Sequence, residues 1–124
     1  MIRIESLQEP LSVNTIYRAK SVYVKGRPTA IMYLTAKGRQ YKTDFSTIAK
    51  MQYNGDVLIG DIKIVAYITF GTKRKKDISN MLKLELDALQ NVIYLDDSQI
   101  VELHLFKRYK KNKPSLVLEI TELI

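Results

Sequence analysis

The chain contains no cysteine, and none of its 124 residues belongs to an apolar run near the roughly 18 residues that a membrane-spanning helix needs. The missing cysteines exclude disulfides and metal sites built on thiolates. The N-terminus also lacks the apolar core segment of a secretory signal. We therefore expect a cytoplasmic protein that does not associate with membranes.

Histidine is almost absent as well. The single one, His104, lies between Leu103 and Leu105 in a segment that alternates like a β-strand. A lone histidine in that setting is more often a solvent-facing strand residue than a metal ligand or general base. Nuclease chemistry based on histidine is therefore disfavoured.

Acidic residues are the scarcer charged type. Thirteen Asp and Glu face twenty Lys and Arg, which gives a formal net charge of +7. This excess suggests an anionic partner such as nucleic acid, although many basic domains carry it only for solubility. The length suits one domain over residues 1–124, with no internal repeat or linker.

The hydrophobic pattern predicts a mixed α+β domain, with a single mixed β-sheet and two helices. Strands are expected at residues 2–7, 21–24, 29–34, 62–70, 100–109 and 115–123. The first alternates like an edge strand, residues 10–20 are typical of a loop, and the apolar run 62–70 predicts a buried central strand. Residues 25–28 would connect the strands of a hairpin.

Two helices are expected from apolar spacing. Thr35 would cap the first, which extends to about Gln52 and buries a face made of Tyr41, Phe45, Ile48 and Met51. The second would span residues 78–91. Its polar stripe would carry Ser79, Lys83 and Asp87, with Asn80 adjacent.

The stretch "KKDISNMLKLELDALQNVIYLDDSQIV", residues 75–101, places acidic residues at both ends of this second helix. Asp77 lies where a helix N-cap is expected. For this residue alone, a capping role is as good an explanation as a catalytic one. Asp96 and Asp97 form an acidic pair of the kind common in turns. Adjacent side chains in extended backbone point to opposite faces, so at most one of the pair would face a site.

Two basic tracts flank this acidic centre. They comprise Lys73, Arg74, Lys75 and Lys76 before it, and Lys107, Arg108, Lys110, Lys111 and Lys113 after it. The arrangement suits a phosphodiester backbone held by basic side chains while carboxylates carry Mg²⁺. Two alternatives stay open: solvated charge runs, and a non-enzymatic nucleic-acid-binding domain in which Tyr17 and Tyr109 stack on bases.

The stretch "KKDISNMLKLELDALQNVIYLDDSQIVEL" resembles the signature of the RusA family of Holliday junction resolvases, D-x-D-N-x-x-K followed by D-A-L and D-D-[SA]-Q-[IV]. The segment "EPLSVNTIYRAK" is similar to that family's P-P-S-x-N loop, with Leu11 in place of the second proline, and "TAKGRQYK" is similar to the segment that enters its first helix. The resemblance implies a homodimeric, Mg²⁺-dependent endonuclease that binds four-way DNA junctions and resolves them with paired nicks.

Residue by residue, the resemblance makes Asp77, Lys83 and Asp97 the catalytic candidates. Asp77 and Asp97 would be metal ligands, with Asp96 and Ser79 as further candidates. Asn80 and Asp87 would have supporting roles, and Asn14 and Arg18 of the N-terminal loop would join the two basic tracts as DNA contacts.

One position departs from the family pattern, since Ser79 stands where the second motif aspartate is expected. A hydroxyl is a weaker Mg²⁺ ligand than a carboxylate. Glu85 would not easily compensate, because its place on the predicted helix is about 120° away from that of Ser79. The alternative is therefore a junction-binding domain that cuts weakly or not at all.

Overall fold

The computed structural model describes residues 1–73 and 75–124, so Arg74, one of the predicted DNA contacts, lies outside the described residues. In chain order the elements are β1 (Ile2–Ser6), α1 (Val13–Ile16), β2 (Tyr17–Val24), β3 (Arg27–Leu34), α2 (Ala36–Gln52), β4 (Ile62–Phe70), α3 (Lys83–Ala88), β5 (Ile100–Tyr109) and β6 (Ser115–Glu122). Two 3₁₀ turns lie at Ile78–Asn80 and Asp97–Gln99. No described helix is long and apolar enough to cross a membrane.

Four strands form the main sheet, in the order β1-β6-β4-β5. Strand β4 pairs antiparallel with β6 and parallel with β5, so the sheet is mixed. Alternate β4 residues from Ile62 to Phe70 are buried, while those between them are half-buried, so one face of the sheet forms the core. The predicted edge position of the first strand and central position of residues 62–70 are both confirmed.

The mixed α+β class is confirmed, but the expected single sheet divides into two. Strands β2 and β3 form a two-stranded sheet of their own, paired from Tyr17 opposite Leu34 to Val24 opposite Arg27. This hairpin is longer than predicted, because part of the expected loop at residues 10–20 extends β2, and α1 forms within the same segment. The connection consists of Lys25 and Gly26 alone. Both have positive φ, the backbone conformation that two-residue hairpin turns favour.

Helix α2 begins where the sequence predicts, with the Thr35 side chain accepting a 3.1 Å hydrogen bond from the Gly38 N–H. Tyr41 and Phe45 are buried as expected. The apolar face continues at Ala49 rather than at Met51, which is 82% exposed, so the prediction that Met51 is buried is wrong. From Tyr41 onward, the buried residues of the helix are therefore spaced four residues apart.

The predicted helix over residues 78–91 is interrupted. A 3₁₀ turn covers Ile78–Asn80, Leu82 has left-handed backbone with φ of 74°, and only Lys83–Ala88 is α-helical. Asp77 accepts from the Ser79 N–H, a local hydrogen bond that competes with continuous helix. The interruption also lets two successive side chains, Met81 and Leu82, enter the core.

Helices α2 and α3 are joined by a buried polar contact. The Tyr41 hydroxyl donates to Oε2 of Glu85 over 2.8 Å, and Glu85 is fully buried. Its other oxygen, Oε1, has no hydrogen-bond partner among the described residues. Burial raises the pKa of Glu85 to about 7, although hydrogen bonds from its own backbone and from Tyr41 oppose the shift. Glu85 thus faces the core and is unavailable as a substitute ligand for position 79.

We expect stability to depend on the protonation of Glu85. Its folded-state pKa of about 7 lies above the ordinary value of 4.5, so folding favours the protonated form. The contribution of Glu85 to the free energy of unfolding should be highest below pH 4.5, fall as the pH rises towards 7, and level off above it. The change is on the order of 3 kcal/mol.

Glu85→Gln provides the comparison, because the amide still accepts from Tyr41 but does not titrate. Urea denaturation of both proteins at several pH values would isolate the contribution of Glu85, since all other groups are shared. The variant should lose most of the decrease between pH 4.5 and 7. The same pH profile in both proteins would show that Glu85 titrates normally.

Candidate active site

A groove of about 520 Å³ separates the N-terminal loop from the segment that follows β4. One wall contains Ser12 and Asn14, and the opposite wall contains Lys75, Asp77 and Asn80. The structure therefore brings the predicted catalytic Asp77 together with three predicted DNA contacts, Asn14, Lys75 and Lys76. These residues are far apart in sequence, and the groove is where they meet.

Glu9 fixes the wall that carries Asp77. Its Oε2 accepts from the Lys76 ammonium over 2.6 Å, and its Oε1 accepts from the Gly71 N–H over 3.1 Å. On the other side, the Lys107 ammonium donates to the Lys76 carbonyl over 2.8 Å. Lys76 and Lys107, both predicted DNA contacts, thus also bind the protein itself, and the contacts at Gly71 and Lys76 join this wall to the N-terminal loop and β5.

Asp77 is both a cap and an exposed carboxylate in the groove. Its Oδ1 accepts from the hydroxyl and the N–H of Ser79, at 2.7 and 3.0 Å. These hydrogen bonds, with the nearby charge of Lys107, hold the pKa of Asp77 below its usual range. Among the described residues only Oδ1 is engaged in this way, so Oδ2 of an ionised carboxylate is open to the groove.

Ser79 is therefore engaged in hydrogen bonds to its neighbour Asp77. Its hydroxyl proton is donated to Asp77, and its N–H makes the second hydrogen bond to the same oxygen. The hydroxyl oxygen keeps lone pairs and could act as a neutral ligand, but it adds no negative charge. Serine at this position orients Asp77 rather than supplying a second carboxylate.

Lys83 lies at the start of α3 and pairs with Asp87 one turn later. Its ammonium is 3.3 Å from Oδ1 and from Oδ2 of Asp87. Partial burial lowers the pKa of Lys83, but the hydrogen bond to Asp87 and the charges of Asp87 and Asp97 outweigh it, so the pKa is raised. Lys83 is a firmly cationic group held by Asp87.

The two members of the acidic pair have different environments. Asp96 caps the second 3₁₀ turn by accepting from the hydroxyl and the N–H of Ser98, which lowers the pKa of Asp96. Gln99 completes this capping box by accepting from the Asp96 N–H over 2.9 Å. Both carboxylates of the pair are exposed. The two differ in that the Asp96 side chain is engaged in capping the turn.

The predicted metal ligands do not form a complete cage. Among residues 1–73 and 75–124, no three acidic or histidine side chains are close enough together to hold a metal ion. Exposed carboxylates such as Asp77 and Asp97 are nevertheless the hard oxygen donors that Mg²⁺ prefers, and Mg²⁺ usually keeps several waters. The donor chemistry suits Mg²⁺, with few ligands from the protein.

The basic tracts meet at the C-terminal ends of β4 and β5. The Lys110 N–H donates to the Phe70 carbonyl over 3.0 Å, which brings the second tract beside the end of β4, three residues before Lys73. Lys73 lies over the Tyr109 ring and Arg108 over the Tyr67 ring, at 5.2 and 4.4 Å from the centroids. The remaining members of the second tract are exposed in the connection to β6, namely Lys110, Lys111 and Lys113.

Other predicted residues lie elsewhere or have different surroundings. Arg18 is an exposed residue of β2, on the hairpin. His104 is half exposed and 3.3 Å from Glu102, which confirms it as a solvent-facing strand residue.

Sequence reasoning missed Lys37 and Glu9, which line the groove. The sequence signal for Lys37 was its position in the first turn of α2. The role of Glu9 depends on tertiary contacts instead.

Comparison with known proteins gives one consistent family. The family described as Endodeoxyribonuclease RusA matches residues 10–121. The crossover junction endodeoxyribonucleases RusA of Enterobacteria phage 82 and Escherichia coli K12 are each 29% identical over 119 residues, covering 95% of this chain and 92% of theirs. The protein of that name from Aquifex aeolicus is 30% identical over 70 residues, and the match spans 56% of each chain.

The match covers the N-terminal loop, both walls of the groove and the two basic tracts. It therefore includes Asp77, Lys83 and Asp97, whereas Glu9, which fixes the wall that carries Asp77, lies just before the matched residues. On this match, the chain belongs to the RusA endodeoxyribonuclease family.

Proposed function

We propose that this protein is a structure-selective DNA endonuclease that binds four-way junctions and resolves them by paired nicks. The observation that carries the proposal is the ionised Asp77 carboxylate, which opens on a groove beside the convergence of two basic tracts. Relatives over almost the whole chain are named crossover junction endodeoxyribonucleases, which supports the same substrate.

In this proposal, the basic side chains hold the DNA backbone and the carboxylates define the reaction centre. Asp77 and Asp97 would hold Mg²⁺, with Asp96 and Ser79 as further candidates and water and substrate phosphate completing the shell. When bound, the ion would polarise the scissile phosphate and lower the pKa of an attacking water. Ser79 keeps Asp77 ionised and oriented through its two hydrogen bonds.

Lys83 would act on the charge that develops during the reaction. Its ammonium is held by Asp87 and is cationic across the physiological pH range, as its raised pKa requires. A fixed positive charge near the phosphate stabilises a transition state with additional negative charge on oxygen. Because Asp87 already orients the side chain, little reorganisation would be needed when DNA binds.

We further propose that the active form is a homodimer. Resolution requires two nicks related by the symmetry of the junction, and a two-fold dimer presents two equivalent sites. The excess of basic residues then doubles along with the number of sites, which favours an extended anionic substrate.

A second candidate function is junction binding with weak or absent cleavage. The specific observation in its favour is the engagement of the Ser79 hydroxyl with Asp77 at the position of the second motif aspartate. The site then has one less negative charge for Mg²⁺ than the family pattern provides. Binding by the basic tracts would be unaffected.

We expect tighter binding to a four-way junction than to a linear duplex of the same length, without any need for metal. Gel-shift titrations of both DNAs in a chelator would measure this difference. Binding should weaken steeply with salt, because each phosphate contact releases counterions. Equal affinities for the two DNAs would contradict junction recognition and favour a general nucleic-acid-binding domain.

Lys83 and Lys111 should separate chemistry from binding. Lys83→Ala should abolish nicking and leave junction affinity within a few-fold, because its role is confined to the transition state. Lys111→Ala, a change at an exposed lysine, should weaken binding modestly and leave single-turnover nicking by the bound complex unchanged. Loss of affinity alone in Lys83→Ala would show that its assigned role is wrong.

Ser79→Asp should raise Mg²⁺-dependent nicking, because a third acidic group strengthens a site with few protein ligands. The measurement is single-turnover nicking of a four-way junction over a Mg²⁺ titration, with Asp77→Asn as the inactive control. The largest gain should appear at low Mg²⁺. A parent as fast as Ser79→Asp at low Mg²⁺ would show that position 79 is not a needed ligand, and normal binding without nicking by either protein would place the defect elsewhere.

A further inference from the structure

Acidic residues are missing from a long part of the sequence near the N-terminus. Between Glu9 and Asp44 there is none, whereas the same interval contains seven basic residues: Arg18, Lys20, Lys25, Arg27, Lys37, Arg39 and Lys42. The first four lie in β2, β3 and their turn. The hairpin is therefore purely cationic among its charged residues.

The pairing register places the charged strand residues on one face. Residues directly opposite each other in an antiparallel pair have side chains on the same side, and successive residues alternate. Arg18 is opposite Tyr33, Lys20 opposite Ile31, and Val24 opposite Arg27, so all three basic strand residues share a face. We call this the basic face. The other face, which includes Ala19, Tyr23 and Met32, carries no charge.

The hairpin has little support from the rest of the protein. Within residues 1–73 and 75–124 its strands pair only with each other, and all their residues are exposed except Tyr17, Val22 and Leu34, which are half-buried. A two-stranded sheet is marginally stable by itself in water. An exposed hairpin of this length thus gains from contact with a partner.

The basic face is free to meet that partner. Lys20 lies 5.4 Å from the centroid of the Tyr33 ring, and none of the four basic residues forms an ion pair with a described residue. This differs from Lys76, whose ammonium is bound by Glu9. Positive charge without internal neutralisation favours an anionic partner.

We infer that the β2–β3 hairpin is a DNA-binding arm whose basic face contacts the phosphodiester backbone outside the active-site groove. The inference rests on the proposed function and extends it to Lys20, Lys25 and Arg27. A strand of eight residues is about 26 Å long, and a two-stranded ribbon fits the major groove of duplex DNA. A second copy of this chain suits the basic face poorly, because a two-fold axis there would bring like charges together.

The test is neutralisation of three charges with a charge-conserving control. Lys20→Gln, Lys25→Gln and Arg27→Gln are combined in one variant, and Lys20→Arg, Lys25→Arg and Arg27→Lys in the other. Affinity for a linear duplex and for a four-way junction is measured in chelator over a range of salt concentrations. Circular dichroism melting checks that both variants fold, as changes at exposed positions should allow.

The neutral variant should bind both DNAs more weakly, and the slope of log affinity against log salt should become shallower by about 2 to 3, near 0.9 for each lost contact. The charge-conserving variant should keep the slope of the parent. An unchanged slope in the neutral variant would overturn the inference. If that unchanged slope came with a lower mass in sedimentation, the hairpin would be a contact between subunits instead.

The outcomes distinguish the arm from the proposed function. A parent that prefers and nicks junctions, with a slope independent of these three residues, retains the function and refutes the arm. A parent that binds duplex and junction equally, with a slope that still depends on them, refutes junction resolution and retains the arm. A parent that binds neither DNA refutes both.

Discussion

The parallel pairing of β4 with β5 is the constraint on which the candidate site depends. Parallel neighbours run in the same direction, so the chain must return along the sheet before β5 can begin. Residues 71–99 make that return and carry Asp77, Lys83 and Asp97. Both basic tracts then lie at the same ends of adjacent strands, because Phe70 pairs with Tyr109. A fold requirement thus places the acidic residues and the basic tracts in one region.

Capping and chemistry are compatible explanations for the aspartates of this connection. Asp77 and Asp96 each begin a 3₁₀ turn and accept twice from the serine two residues later. These hydrogen bonds stabilise the turn, and they also keep the carboxylates ionised at lower pH. The surroundings of the two residues differ: Asp77 opens on the groove, whereas Asp96 lies beside Asp97 and both carboxylates of that pair are exposed.

Sequence patterns predicted the parts of the fold that depend on local periodicity. Strand β4 and helix α2 have regular apolar spacing, and the Thr35 and Asp77 caps follow from short-range hydrogen bonds. The interruption at Leu82 was not predictable, because burial of adjacent Met81 and Leu82 overrides helical spacing. The role of Glu9 was not predictable either, because its contact with Lys76 joins residues far apart in sequence.

The net charge of +7 overstates what is available to DNA, because some basic residues are committed within the protein. Lys76 is bound to Glu9 and Lys107 donates to the Lys76 carbonyl, so both shape the wall that holds Asp77. Removing either side chain would move that wall as well as remove a charge, and a loss of DNA affinity would have two causes. Exposed lysines such as Lys111 lack this structural role. The basic residues therefore divide into those that build the groove and those free to meet phosphate, a division that charge counting alone does not reveal.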